Sequence, residues 1–60
     1  NLNNYITEKR LEYAKTLLRS LQYSIREIAH LSGYDDAGYF SSLFRRKVGM
    51  NPTEYRNCQI

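Results

Sequence analysis

Cysteine, proline and glycine are all scarce in this chain of 60 residues, at one, one and three positions. Cys58 has no partner for an internal disulfide, which fits a reducing compartment and an expected cytoplasmic location. The lone proline and the glycines fall at apparent boundaries and leave long stretches of helix formers between them. No apolar run approaches a membrane span and no signal-peptide pattern is present, so no membrane partner is expected. Strand-forming alternation, internal repeats and low-complexity segments are also missing. No nucleophile–base pair and no cluster of metal-ligand spacing is visible, and so short a chain has no room for an enclosed active site. Neither an enzyme nor a cofactor binder is expected. Methionine is absent at position 1 and the chain opens directly on a helical pattern, so a piece of something longer is expected.

What is present is a small domain, or part of one, of marginal stability. A chain of this length buries only about 60% of its unfolded surface. The net charge is +3 and is unevenly spread. In residues 1–39, Lys9, Arg10, Lys15, Arg19 and Arg26 are balanced by Glu8, Glu12, Glu27, Asp35 and Asp36. Beyond residue 39, Arg45, Arg46, Lys47 and Arg56 face Glu54 alone. A localised basic end suits an anionic polymer. It also suits a plain helix C-terminus, where cations are favoured by the helix dipole.

The periodicity predicts an all-α chain of four helices. The first runs over 4–22, with Asn3 or Asn4 as N-cap and Ile6, Leu11, Ala14, Leu17, Leu18 and Leu21 facing inward. Ser24-Ile25-Arg26-Glu27 is a capping box that starts a second helix, with Ile25, Ile28, Ala29 and Leu31 inside and Gly33 as its left-handed stop. Asp36 caps a third helix over about 37–48, whose apolar side holds Phe40, Leu43, Phe44 and Val48. Gly49 ends it. Asn51-Pro52-Thr53-Glu54 starts a last short helix over 52–57 with cap, proline and capping glutamate in their favoured places, and Tyr55 faces back into the core.

Residues 24–48 combine what a helix-turn-helix needs. Ala29 is a small residue where a second helix can cross, Gly33 follows four residues later in the turn, and the next helix is small or polar outside. On that helix Ala37, Ser41 and Arg45 form one stripe, and Gly38 and Ser42 form the adjoining one. Neither carries a bulky apolar group, so the helix can approach the floor of a DNA groove.

On Gly33-Tyr34, Asp36, Tyr39-Phe40-Ser41, Phe44-Arg45-Arg46, Gly49, Pro52 and Tyr55-Arg56, the chain resembles the C-terminal part of the DNA-binding domain of AraC/XylS-type transcription regulators. Tyr5-Ile6 and the run from Arg10 to Leu18 resemble that family's long central helix, so the likeness covers nearly all of the chain. The resemblance implies one joining helix, the second helix-turn-helix unit and a short C-terminal helix, in a homeodomain-like three-helix core. The first unit would be missing. It further implies a recognition helix at 37–47 for double-stranded DNA in a bacterial regulator or activator.

Base-edge contacts are then expected from Ala37, Gly38, Ser41 and Ser42, with Arg45 at the margin. Phosphate contacts are expected from Arg46, Lys47, the Tyr39 hydroxyl and the helix start at Ser24. Serine reads several base edges and alanine meets a thymine methyl, so selectivity from this half is expected to be modest. Gly38 departs from the polar residue frequent there in the family. Four phosphate contacts would give a salt slope of roughly −3.6. A single unit is expected to bind weakly, near the non-specific range.

Other residues read more simply. Phe40, Phe44 and Tyr55 are core. Glu27 and Glu54 are caps, His30 a solvated or partly packed histidine and Cys58 an exposed bystander. The six tyrosines lie at helix flanks rather than on a stacking platform. Arg10, at the apolar edge of its helix, reads as a surface charge or an internal tether, with its place favouring the tether. The alternative function is a helical interaction module contacting RNA polymerase or a partner domain. A hydrophobic outer face over 37–42 would favour it, and that face is polar.

Overall fold

In the computed structural model residues 2–58 are described, and they form four helices: α1 (Leu2–Leu18), α2 (Ile25–Leu31), α3 (Ala37–Val48) and α4 (Pro52–Cys58). The expected domain span of 1–60 reaches beyond these residues at both ends. Each of the last three helices begins where a side chain satisfies amides that the first turn leaves without partners. At α2 the box closes in both directions: Ser24 N–H donates to Glu27 Oε1 at 2.9 Å, and Glu27 N–H donates to Ser24 Oγ at 3.1 Å. Asp36 Oδ1 accepts from the amides of Gly38 and Tyr39 at 2.8 and 3.2 Å. A second reciprocal box, Asn51 with Glu54, opens α4, with bonds of 3.0 and 2.8 Å.

Two of these helices stop as their glycines require. Gly33 and Gly49 both have φ of 100°, a conformation that costs a side-chain-bearing residue energy. After α2, Gly33 N–H donates to the His30 carbonyl and Tyr34 N–H reaches back to Ala29, a paired closure that ties the turn to the helix end.

The core joins α1, α2 and α3 through buried groups, and α4 adds its first residue, Pro52, which is also buried. Leu11, Ala14 and Leu18 come from α1, Ile28 and Ala29 from α2, and Phe40, Leu43 and Phe44 from α3, with Tyr34 from the turn. Aromatic rings run through it in sequence: Tyr39 to Tyr34 at 6.0 Å, Tyr34 to Phe40 at 5.7 Å, Phe40 to Phe44 at 5.8 Å. Tyr55 closes the row, edge-on to Phe44 at 5.6 Å, and so docks α4. Ala29, 1% exposed, is the small residue that lets α2 lie close to its neighbours.

The first helix differs from its sequence reading. It begins at Leu2, so Asn3 and Asn4 lie within it rather than capping it. It ends at Leu18, not at residue 22, and Leu21 is 71% exposed. The connection that follows is held from far along the chain. The Arg56 guanidinium donates to the carbonyls of Leu18, Ser20 and Tyr23, at 3.2, 3.1 and 2.6 Å. These bonds satisfy the last carbonyl of α1 and two carbonyls of the connection to α2, and so hold the turn between the two helices. Ile6 and Leu31, also assigned inward, are exposed, because the core is built from Leu11 onward on α1 and from Ile28 and Ala29 on α2.

Candidate nucleic-acid interface

The candidate interface is the side of α3 that the core does not use. Phe40, Leu43 and Phe44 anchor the helix inward. At about 100° per residue, the positions opposite them are Gly38, Ser42 and Arg45. All three are exposed. Arg46 and Tyr39 flank them on one side, both exposed, and Ser41 flanks them on the other, half-buried. Ala37 is also half-buried and packs against the core. The two expected stripes therefore do not contribute equally: Gly38, Ser42 and Arg45 stand foremost, while Ala37 and Ser41 recede. Arg45, assigned to the margin from the sequence, lies centrally.

No bulky apolar side chain interrupts the foremost stripe. At Gly38 an added Cβ would lie 3.2 Å from Asp36 Oδ1, the atom that caps the helix. The absent side chain thus both spares the cap and lowers the profile of the first turn. Two turns on, Arg45 and Arg46 extend from the helix end. Among the described residues the ion pair formed is Lys9 with Glu12, at 3.7 Å on α1, so neither arginine is engaged by a carboxylate.

Lys47 is directed elsewhere. It shares a surface groove of about 200 Å³ with Glu8, Leu11, Glu12, Lys15 and Val48, between α1 and the end of α3. Arg56, counted with the basic end, is half-buried and spent on backbone carbonyls. The free cationic surface of the C-terminal part is therefore concentrated in Arg45 and Arg46. At the start of α2, the amides of Ser24 and Glu27 are committed to the capping box. The amide and hydroxyl of Ser24 hold the Glu27 carboxyl below its ordinary value of 4.5, which keeps a negative charge at that helix start. Ser24 thus stands beside an anion.

The support of the face includes a residue the sequence only hinted at. Arg10, reaching across from α1, sets its guanidinium over the Tyr34 ring, 5.2 Å from the centroid. A Cβ on Gly33 would lie 3.1 Å from Arg10 Nε and 3.2 Å from Cζ, so the glycine makes room for the arginine as well as supplying the turn. The tether suggested by Arg10's place at the apolar edge of its helix is the contact observed. Arg56's role had no local signal, since its partners lie 33 to 38 residues away.

Separately, the outer side of α2 borders an open groove of about 700 Å³ formed by Tyr23, Arg26, Glu27, His30, Leu31 and Asp35.

Comparison with known proteins bears on the family and the fold. Residues 1–57 match the family described as "Helix-turn-helix domain". The chain is 44% identical over 54 residues to the uncharacterized HTH-type transcriptional regulator YijO of Escherichia coli K12, covering 90% of this chain and 19% of that protein. It is 41% identical over 56 residues to the HTH-type transcriptional activator RhaR of Yersinia pseudotuberculosis, covering 93% of this chain and again 19% of the relative. The chain therefore spans about a fifth of the length of these curated relatives. A crystal structure of a DNA-binding transcriptional dual regulator from Escherichia coli K-12 superposes with a TM-score of 0.85 at 38% identity, covering 88% of this chain and 48% of that one.

Proposed function

The chain belongs to the AraC-type helix-turn-helix family, and from that premise we propose that α3 is its recognition helix and lies in the major groove of double-stranded DNA with Gly38, Ser42 and Arg45 foremost. The observation that carries this reading is the pairing of two faces on one helix: Phe40 and Phe44 fully buried, Gly38 and Ser42 exposed. Ser41 and Ser42 read base edges permissively, and Gly38 lets the first turn sit close. Arg45 reaches a base edge or the adjoining backbone, and Arg46 and the Tyr39 hydroxyl take phosphates. Ala37, Lys47 and Ser24 contribute less, through their burial, their direction toward α1 and the neighbouring Glu27 carboxylate. Shape and phosphate contacts supply much of the affinity, with each cationic phosphate contact adding about 0.9 to the salt slope.

Within the whole protein, the chain is the joining helix (4–22 as read from the sequence, Leu2–Leu18 as folded), the second helix-turn-helix (24–48) and the short helix that follows. Leu2, Tyr5, Ile6 and Tyr13 form an exposed stripe along the outer side of α1. A first helix-turn-helix unit covers that stripe in this reading, consistent with a solved relative about twice as long as the matched region. The regulator works in the cytoplasm, where bacterial DNA is, and none of the described helices is long and apolar enough to cross a membrane.

A second reading concerns the other side of the turn. The groove on α2, with exposed Leu31 beside Glu27 and Asp35, suits a contact with RNA polymerase or a partner domain. It predicts that replacing Leu31 and Glu27 lowers transcription in a reporter while DNA affinity is kept.

Replacing Ser41 and Ser42 together with Glu tests the main reading. Loss of DNA binding with helical circular dichroism intact is the expected result. Unchanged binding would move the interface away from α3.

A further inference from the structure

Arg10 lies on α1, its guanidinium over the α2–α3 turn, yet it is held in a defined place that bears on that face. Its guanidinium covers Tyr34, and Tyr34, 8% exposed, has its ring 6.0 Å from that of Tyr39. Tyr39 itself is 56% exposed, with one side open to solvent and the other against Tyr34. Three residues from α1, the turn and α3 thus form one row of contacts, the two tyrosine rings tilted by 50°, with only its last member standing at the candidate interface. Gly33 leaves room for the first member, since a Cβ there would press on the guanidinium at 3.1–3.2 Å. A planar cation over a ring is attracted to it and restricts its tilt. A ring restricted on one side offers a fixed surface to the next ring along.

Resting on the DNA-binding reading above, we propose that Arg10 is a positioning residue for the Tyr39–phosphate contact and acts through Tyr34. Arg10 does not itself touch the nucleic acid. It lowers the number of orientations open to Tyr39, so that the hydroxyl is held ready for a phosphate oxygen. Loss of the guanidinium frees Tyr34, then Tyr39, and the contact weakens without any loss of charge at the interface.

The test is a double-mutant cycle on the full chain, with random-sequence duplex DNA as the probe and affinity measured over a range of salt. The variants are Arg10→Ala, Tyr39→Phe and the pair. Tyr39→Phe removes one hydrogen bond to a charged acceptor and is expected to weaken binding about five-fold. Arg10→Ala is expected to weaken it by a similar factor, and the pair by no more than the larger single effect. The salt slope of Arg10→Ala should equal that of the unaltered chain. A slope smaller by about 0.9 would mean that Arg10 neutralises a phosphate directly and would overturn the proposal. Effects that multiply in the pair would overturn it too, because Arg10 would then act on binding or folding independently of Tyr39. Should Arg10→Ala fail to fold, Arg10→Lys, which keeps the stem and charge and loses the plane, carries the same cycle with the same expectations. If the unaltered chain binds no duplex at low salt, the DNA-binding reading fails, and that outcome is separate from additivity in a chain that binds.

Discussion

The two sides of α3 obey different rules. The inner side is large, apolar and buried, and its two phenylalanines each meet another ring. The outer side is small, polar and open, and its side chains have few partners within the protein. A helix held only by its own capping would be marginal at twelve residues. Here the inner face fixes the helix, and that rigidity is what allows the outer face to consist of glycine and serine. Stability and recognition are thereby assigned to different residues of one element, so substitutions should separate them.

The largest expected effect is on the inner side. Phe44→Ala removes a fully buried ring that meets both Phe40 and Tyr55, and should cost about 3–5 kcal/mol, enough to unfold much of so small a chain. Thermal melts followed by circular dichroism check it, and any accompanying loss of DNA binding would reflect unfolding. Next comes Arg56→Ala, which leaves three carbonyls without their charged donor. A loss of about 2–3 kcal/mol is expected, with DNA affinity per folded molecule retained. Retained stability would mean that the connection between α1 and α2 is held by other means.

The two left-handed glycines sharpen the comparison further. Gly49→Ala meets nothing within 4 Å and should cost only the backbone penalty, about 1–2 kcal/mol. Gly33→Ala carries the same penalty and also displaces Arg10, so its loss should be larger by denaturant titration. On the outer side, Arg46→Ala should leave stability within about 0.5 kcal/mol and weaken binding to all duplexes alike, lowering the salt slope by about 0.9. The smallest effect is electrostatic. Glu27, whose folded carboxyl lies below its ordinary 4.5, contributes stability that is full above that value and is lost as pH falls through the folded value. The melting-temperature difference between the unaltered chain and Glu27→Gln should therefore be constant near neutrality and shrink on acidification below about pH 4.5.

What the sequence displayed was local. The boxes at Ser24–Glu27 and Asn51–Glu54, the Asp36 cap and the two stop glycines each depend on residues within a few positions, and all form as the spacing predicts. The inward residues of α3 followed from one period applied to one short helix. What stayed hidden was non-local. The end of α1 at Leu18 is capped by Arg56, and a helical pattern that continues to Leu21 gives no sign of it. Similarly, the direction of Lys47 depends on where α1 crosses the end of α3. Counting charge along the chain overstated the cationic end, because folding removes Arg56 from it and turns Lys47 aside.

The most direct measurement is a titration of the chain with duplex DNA, followed by amide nitrogen–proton correlation spectra. The account predicts that the largest shifts fall at Gly38, Ser41, Ser42 and Arg45, while amides of the exposed stripe from Leu2 to Tyr13 stay near their starting positions. Shifts concentrated on Arg26 to Leu31 or on α1, with the α3 face unmoved, would contradict it.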